Sequence, residues 1–191
     1  YRSLSPLQHR GIVYHDDGKF ALNDEFEGLA TLAREFAHHR NRNRVEAYVD
    51  TYTILWESLD EFLVRSDEPI EADAFHVTGP ERFQEYDLPL LARQRRYYLY
   101  SDSKDGLSPA ELCCHMLVIG DDTRSRSYCL LLLSTVNIDR DELLVLAEKY
   151  DVEDSVAGLL EYLDTHGAKR TASFPTWEEF RDLADEYGVT V

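Results

Sequence analysis

Apolar and polar residues follow two different periods along this chain, and each period predicts a different kind of element. Near the N-terminus, β-forming residues flank the turn sequence Asp16-Asp17-Gly18, a pattern that predicts a β-hairpin over 12–22. Beyond the hairpin, apolar positions recur every three or four residues, which is typical of amphipathic helices. They predict one helix from Asp24 to Phe36 and, after a polar run at 38–44, a longer helix over 45–62.

The rest of the chain predicts helices and two short strands. The strands are expected at 74–78 and 97–100. Ser108, Asp139 and Thr176 each precede a helical pattern and are followed three residues later by a glutamate, which is the spacing of a capping box. The run 130–133 is apolar on all sides, as expected of a buried helix. The predicted fold class is therefore α+β, mostly helical, with a few short strands.

The first 22 residues have the element order of half a winged helix. Leu4 and Leu7 are three residues apart, as on one face of a helix, and Gly11 follows as a helix terminator. The predicted hairpin comes directly afterwards. This order resembles the recognition helix and wing of archaeal and bacterial winged-helix transcriptional regulators. The resemblance implies a DNA-binding module whose first helices precede Tyr1, so this chain would hold only part of it.

The same resemblance implies which side chains contact DNA. In such modules the recognition helix enters the major groove, and the wing meets phosphates or the minor groove. Pro6 lies inside the expected helix, so the helix either starts at Ser5 or is kinked. The alternative to a DNA-contacting element is a surface hairpin with ordinary polar side chains. The implied DNA-binding residues are Arg2, Ser3, Gln8, His9 and Arg10 on the helix, and His15 and Lys19 on the wing.

Two further segments have both a functional and a structural interpretation. The basic run at 38–44 offers Arg40, Arg42 and Arg44 to the DNA backbone, or it is a polar joint between two helices with its arginines paired to acids. The predicted helix over 45–62 is either a dimerisation helix, since modules of this type commonly pair on two half-sites, or part of the core. Its apolar stripe consists of Val45, Tyr48, Tyr52, Leu55, Leu59 and Phe62.

The charge balance changes how the DNA hypothesis is judged. The chain holds 20 Lys and Arg against 37 Asp and Glu, for a net charge of −17. Only 4 of the 20 basic residues are lysines, and this acid-rich, lysine-poor composition resembles that of proteins from halophilic archaea. Concentrated salt shortens the Debye length to about 3 Å at 1 M, which screens repulsion between carboxylates. The first 50 residues have a net charge of only −1, so the acidity does not exclude DNA binding there.

Several other classes of protein are disfavoured. The three cysteines include an adjacent pair, so no disulfide framework is expected and a reducing cytoplasm is the predicted location. Cys113-Cys114-His115 has the residue types of a metal site, but no second pair of ligands follows, which favours buried side chains and no metal. We find no signature of a hydrolase, phosphate-binding loop or metalloprotease, so we predict neither enzymatic activity nor a cofactor. No apolar run approaches the roughly 20 residues of a membrane span.

The helices and caps of the C-terminal half resemble the helical part of AbiEi-type antitoxin regulators, which are also winged-helix proteins. The sequence thus predicts half a winged helix at 1–23, linking or dimerisation helices at 24–65, and an acidic helix-rich effector or partner-binding domain at 66–191. The predicted function is a DNA-binding transcriptional regulator, expected as a homodimer, with a C-terminal sensing or interaction domain. The alternative is an antitoxin-like module that binds another protein.

Overall fold

The fold consists of two compact units, Tyr1–Ala47 and Tyr48–Val191. A computed structural model describes residues 4–16, 18–90 and 95–191 of the chain. The α+β, mostly helical fold class is confirmed, since seven α-helices and six short strands are present in these ranges. The predicted segment 24–65 is divided between the two units.

The first unit begins with a short helix and a hairpin. Helix α1 spans Leu4–His9, and strands β1 (Val13–Asp16) and β2 (Lys19–Leu22) pair antiparallel, as the turn sequence predicted. Gly11 ends α1 in the left-handed region at φ +69°. The amide of Ile12 donates to the carbonyl of Leu7 at 2.9 Å, and the amide of Gly11 donates to Gln8 at 3.0 Å. These two bonds form a Schellman motif, which explains the need for glycine.

Pro6 lies inside α1, after Leu4 and Ser5, so the helix does not start at Ser5. The residues before Leu4 lie outside the described ranges.

Helix α2, Glu27–Glu46, corrects the prediction of a break at 38–44. The helix continues through the basic run because arginine is a good helix former and no proline or glycine follows Gly28 within it. The run is therefore not a joint between two helices. Arg42 forms an ion pair of 3.3 Å with Glu46 one turn later.

The helix predicted over 45–62 is wrong. Tyr52–Glu57 forms strand β3 and Phe62–Ser66 forms strand β4, which pair as an antiparallel hairpin. The amide of Ser58 donates to the carbonyl of Glu61 at 2.8 Å and closes the turn. The β-branched and aromatic residues of 52–56 favour a strand, and their apolar positions matched a helical period only by coincidence.

Four strands form one antiparallel sheet in the second unit. Strand β5 (Phe75–Thr78) and strand β6 (Arg96–Tyr100) confirm the two predicted strands. The strand order is β3-β4-β6-β5, so β4 and β6 are central and both are largely buried. Phe62 and Tyr100 are opposite each other, and their rings stack 4.8 Å apart. A 3-10 helix, Gly79–Tyr86, follows β5.

Five helices complete the second unit, and the predicted caps begin three of them. They are α3 (Pro109–Ile119), α4 (Thr123–Thr135), α5 (Arg140–Lys149), α6 (Glu153–Asp164) and α7 (Trp177–Glu186). Ser108 and Thr176 each form a complete capping box. Asp139 caps α5 by accepting from the amides of Asp141 and Glu142, whereas the Glu142 carboxylate accepts from Ser108 at 3.0 Å.

The hydrophobic core of the second unit is formed mainly by these helices. Leu130, Leu131 and Leu132 of α4 are fully buried, which confirms the prediction for the apolar run. Phe180 of α7 and Tyr162 of α6 lie in the same cluster, with their rings 5.8 Å apart.

Candidate functional site

The candidate nucleic-acid interface is the helix–hairpin of the first unit. Gln8 and His9 lie on α1, Arg10 directly follows it, and all three side chains are exposed. His15 on β1 and Lys19 on β2 are exposed too. The Schellman motif makes the chain turn directly from α1 into the hairpin, so these side chains belong to one short structural element. Arg2 and Ser3 lie outside the described residues.

Two contacts shape the hairpin near its turn. Asp16 is opposite Lys19 in the strand register, so a carboxylate and an ammonium group flank the turn. The His15 ring contacts the Phe20 ring edge-on, with their centroids 5.0 Å apart. Lys19, on the second strand, is exposed.

The basic end of α2 holds the predicted backbone contacts. Arg40 and Arg44 are four residues apart on one face and half-buried, whereas Arg42 lies on another face and is exposed. The three arginines therefore do not form one surface.

The predicted dimerisation stripe does not exist as a surface, because it was based on the incorrect helix. Val45 and Phe62 are fully buried, and Tyr48 lies after the end of α2. Tyr52 and Leu55 lie on β3, and Leu59 lies in the β3–β4 turn. The exposed apolar face of the first unit is instead on α2. Leu29, Leu32 and Phe36 are 60%, 63% and 69% exposed and lie along one side of the helix.

A cavity of about 160 Å³ lies in the second unit. Four segments line it, which the sequence alone did not bring together. These are the end of β5 with the start of the 3-10 helix (Thr78, Pro80, Glu81), the residues at the start of β6 and just before it (Arg95, Tyr97), the end of α3 (Met116, Ile119, Gly120) and the N-cap and first turns of α4 (Asp122, Arg124, Ser125, Tyr128).

Gly79 fixes one wall of this cavity. Its φ of +71° is in the left-handed region, where a side chain is strained. A Cβ atom there would also lie 2.8 Å from Ile119 and 3.2 Å from Tyr97, two residues that line the cavity. Glycine at this position therefore allows Ile119 of α3 and Tyr97 of β6 to pack closely against the start of the 3-10 helix.

A buried histidine lies behind the cavity. Thr78, which lines the cavity, shares a 2.9 Å hydrogen bond with Nδ1 of His115. Burial, together with the charges of Lys104 and Lys149, lowers the pKa of His115 to about 3. Its Nε2 has no hydrogen-bond partner among the described residues, and its ring contacts Tyr150 edge-on at 4.7 Å. His115 is therefore neutral at physiological pH.

Two lysine–glutamate pairs account for the positive charge near His115. Lys104 pairs with Glu111, and Lys149 pairs with Glu61. Burial raises the pKa of Glu61, but hydrogen bonds from Lys149 and Ser101 outweigh it and hold the pKa below its usual value. The two lysines are thus neutralised locally.

The cysteines are buried, as the sequence favoured. Cys113 and Cys114 lie on α3, and Cys129 of α4 donates to the carbonyl of Cys113 at 3.5 Å. Burial raises the pKa of Cys114 and Cys129, so both remain thiols. Within the described ranges, no group of three or more His, Cys, Asp or Glu side chains is arranged to hold a metal ion. No helix in those ranges has both the length and the apolar character needed to cross a membrane.

Comparison with known proteins assigns the chain to a family. The family model HVO_2833_C, C-terminal, matches residues 72–189, and the protein therefore belongs to this archaeal family. The matched residues all lie in the second unit and include the cavity. No curated protein and no solved structure matches the chain. The winged-helix and AbiEi-type resemblances remain predictions.

Proposed function

We propose that this protein is a DNA-binding transcriptional regulator of a halophilic archaeon, with the helix–hairpin as its DNA-contacting element. The observation that supports this most is the exposure of Gln8, Arg10 and Lys19 on a unit whose charges balance. Residues 1–47 hold seven basic and seven acidic side chains, whereas 48–191 hold 13 and 30. Phosphate is therefore not repelled by the first unit as it is by the second.

The chemistry of the exposed side chains fits this role. Arginine can form two hydrogen bonds to guanine and glutamine can do so to adenine, which makes Arg10 and Gln8 candidates for reading bases. Lys19 would contact a phosphate, which adds affinity without sequence preference. The family domain would then act as a sensing or partner-binding domain in the cytoplasm.

A titration of full-length protein against DNA tests the proposal. Duplexes enriched from a random pool at high potassium chloride serve as ligands, with fluorescence anisotropy as the readout. We expect Arg10→Ala combined with Lys19→Ala to weaken binding at least tenfold. The control pair, Arg34→Ala with Lys169→Ala, removes the same charge from other exposed sites and should bind like the wild type. No sequence preference, or an equal loss in both pairs, would refute the proposal.

We further propose that two copies pair through the exposed face of α2. Leu29, Leu32 and Phe36 form an apolar strip in the N-terminal half of α2. Acidic residues precede the strip (Asp24, Glu25, Glu27). Basic residues follow it, namely the half-buried Arg40 and Arg44 and the exposed Arg42, which pairs with Glu46 of its own helix. An antiparallel pair would place the acidic end of each helix beside the basic end of the other, whereas a parallel pair would place like charges together.

The size of the strip sets the expected strength of this dimer. In the antiparallel arrangement Leu29 would lie opposite Phe36 of the second copy. Three side chains per copy supply much less than the roughly 800 Å² per partner of a standard interface. We therefore expect a weak, concentration-dependent dimer that binding to two DNA half-sites reinforces.

The alternative function is an antitoxin-like module that binds a basic protein. The observation that favours it is the charge of −17 carried by residues 48–191. A pull-down of a basic partner at high salt, together with no binding to any DNA duplex, would favour this function over DNA binding.

A further inference from the structure

This cavity of the second unit combines two arginines and two acids with an apolar floor. Arg95 and Arg124 line it beside Glu81 and Asp122, and so do Met116, Ile119 and Pro80. The rings of Tyr97 and Tyr128 line it as well. Pockets of this composition hold ligands by burying an apolar body and fixing one charged group.

Arg124 is an exposed arginine in the first turn of α4. Other arginines of the second unit form ion pairs, such as Arg126 with Asp121 at 2.6 Å and Arg140 with Asp164 at 2.6 Å. Among the described residues, Arg124 has neither a hydrogen-bond acceptor nor an ion-pair partner for its guanidinium.

The other charged groups at the cavity are largely engaged or exposed. The Asp122 carboxylate caps α4 by accepting from the amide of Ser125 at 2.8 Å, and this bond, together with the nearby charge of Arg124, lowers the pKa of Asp122. Glu81 is exposed at the mouth. Arg95 lies 4.0 Å from Asp67, a contact between exposed groups that contributes little. Both guanidinium groups are exposed, so an additional anion can reach them.

We propose that this cavity binds a small planar organic carboxylate. The carboxylate would form a bidentate pair with Arg124, as guanidinium geometry allows. The planar body would lie against Tyr97, Tyr128 and Met116. A volume of about 160 Å³ limits the ligand to about the size of a single aromatic ring with its acid group. The site does not depend on the DNA-binding proposal, because it lies wholly within the second unit.

Three probes separate the contributions of charge and apolar body. Benzoate has both, inorganic phosphate has only the charge, and benzyl alcohol has only the ring. Isothermal titration of the full chain should give one benzoate per chain with a Kd of about 1 mM, as expected for a ligand of this size. Phosphate and benzyl alcohol should bind at least tenfold more weakly. Equal binding of all three, or no benzoate binding, would overturn the proposal.

Variants locate the binding at this cavity. Arg124→Gln should lower benzoate affinity at least tenfold, and Arg124→Lys should keep part of it because the charge remains. Arg181→Gln, an exposed arginine on α7, is the matched control and should leave the affinity unchanged. Met116→Phe should block binding by filling the cavity. Its thermal unfolding, measured in parallel, shows whether the fold is retained. Unchanged benzoate affinity in Arg124→Gln would overturn the assignment to this cavity.

Discussion

The two units of this chain differ in how they use their apolar residues. The second unit buries leucines and aromatic rings in one large cluster. In the first unit, the described residues that are buried are Ala37, Asn41 and Val45, while Leu29, Leu32 and Phe36 remain exposed. A unit with so little buried apolar surface gains little stability from its own packing. We infer that the second unit provides stability and the first unit provides surface for partners.

The difference in packing predicts the largest effect on stability. Leu131→Ala should lower the free energy of unfolding by about 2–5 kcal/mol, because it leaves a cavity in the core. Leu32→Ala should change it by less than about 0.5 kcal/mol, because Leu32 is exposed. Denaturant unfolding of both variants at high salt measures this. Similar losses of unfolding free energy in the two variants would contradict the difference in packing between the two units.

A second prediction concerns pH and the core of the second unit. The pKa of His115 is lowered to about 3 in the folded state from an unfolded value near 6.5. The unfolded state therefore gains a proton first as pH falls below 6.5, and stability should fall by up to about 1.4 kcal/mol per pH unit. His115→Gln should flatten this slope between pH 6.5 and 4.5. His39 is exposed, so His39→Gln is the control and should leave the slope as in the wild type. An unchanged slope in His115→Gln would contradict the assignment of this pH dependence to His115.

A third prediction concerns the exposed face of α2. Leu32→Glu should abolish the dimer, because it places a charge in the middle of the apolar strip. Val145→Glu, at a side chain that is 68% exposed in the second unit, is the matched control. Light scattering across a concentration series distinguishes the two. A monomeric wild type at all concentrations, or dimer loss in the control as well, would exclude this interface.

The smallest expected effect concerns the reactivity of the buried cysteines. The three cysteines of the second unit are buried, and burial raises the pKa of Cys114 and Cys129. A thiol reagent such as DTNB should therefore not react with the folded protein on a timescale of minutes, since the thiolate is the reactive form. All three thiols should react after unfolding. Rapid reaction of the native protein would show that the core opens readily.

Elements that depend on neighbouring residues were predictable from the sequence, whereas strands that depend on pairing with distant segments were not. The caps at Ser108 and Thr176 and the hairpin turn at Gly18 depend on residues within a few positions of one another. Strands β3 and β4 were missed because Tyr52, Leu55 and Phe62 happen to repeat at helical spacing, and because β4 is stabilised by pairing with the distant β6.

The two candidate sites also differ in whether the sequence could predict them. The helix–hairpin residues are adjacent in sequence, so a motif could indicate them. The cavity could not be predicted, because Pro80, Tyr97, Ile119 and Arg124 come from four separate segments. No spacing in the sequence indicates that these segments meet.

The salt dependence of DNA binding tests the central claim most directly. Each phosphate contact that a cation makes contributes about −0.9 to the slope of log affinity against log salt. Relative to the wild type, Arg10→Ala with Lys19→Ala should lower the steepness of this slope by about 1, because Lys19 is the phosphate contact of the pair, and Arg34→Ala with Lys169→Ala should leave it unchanged. Identical slopes in the wild type and both double variants would show that the helix–hairpin does not contact DNA.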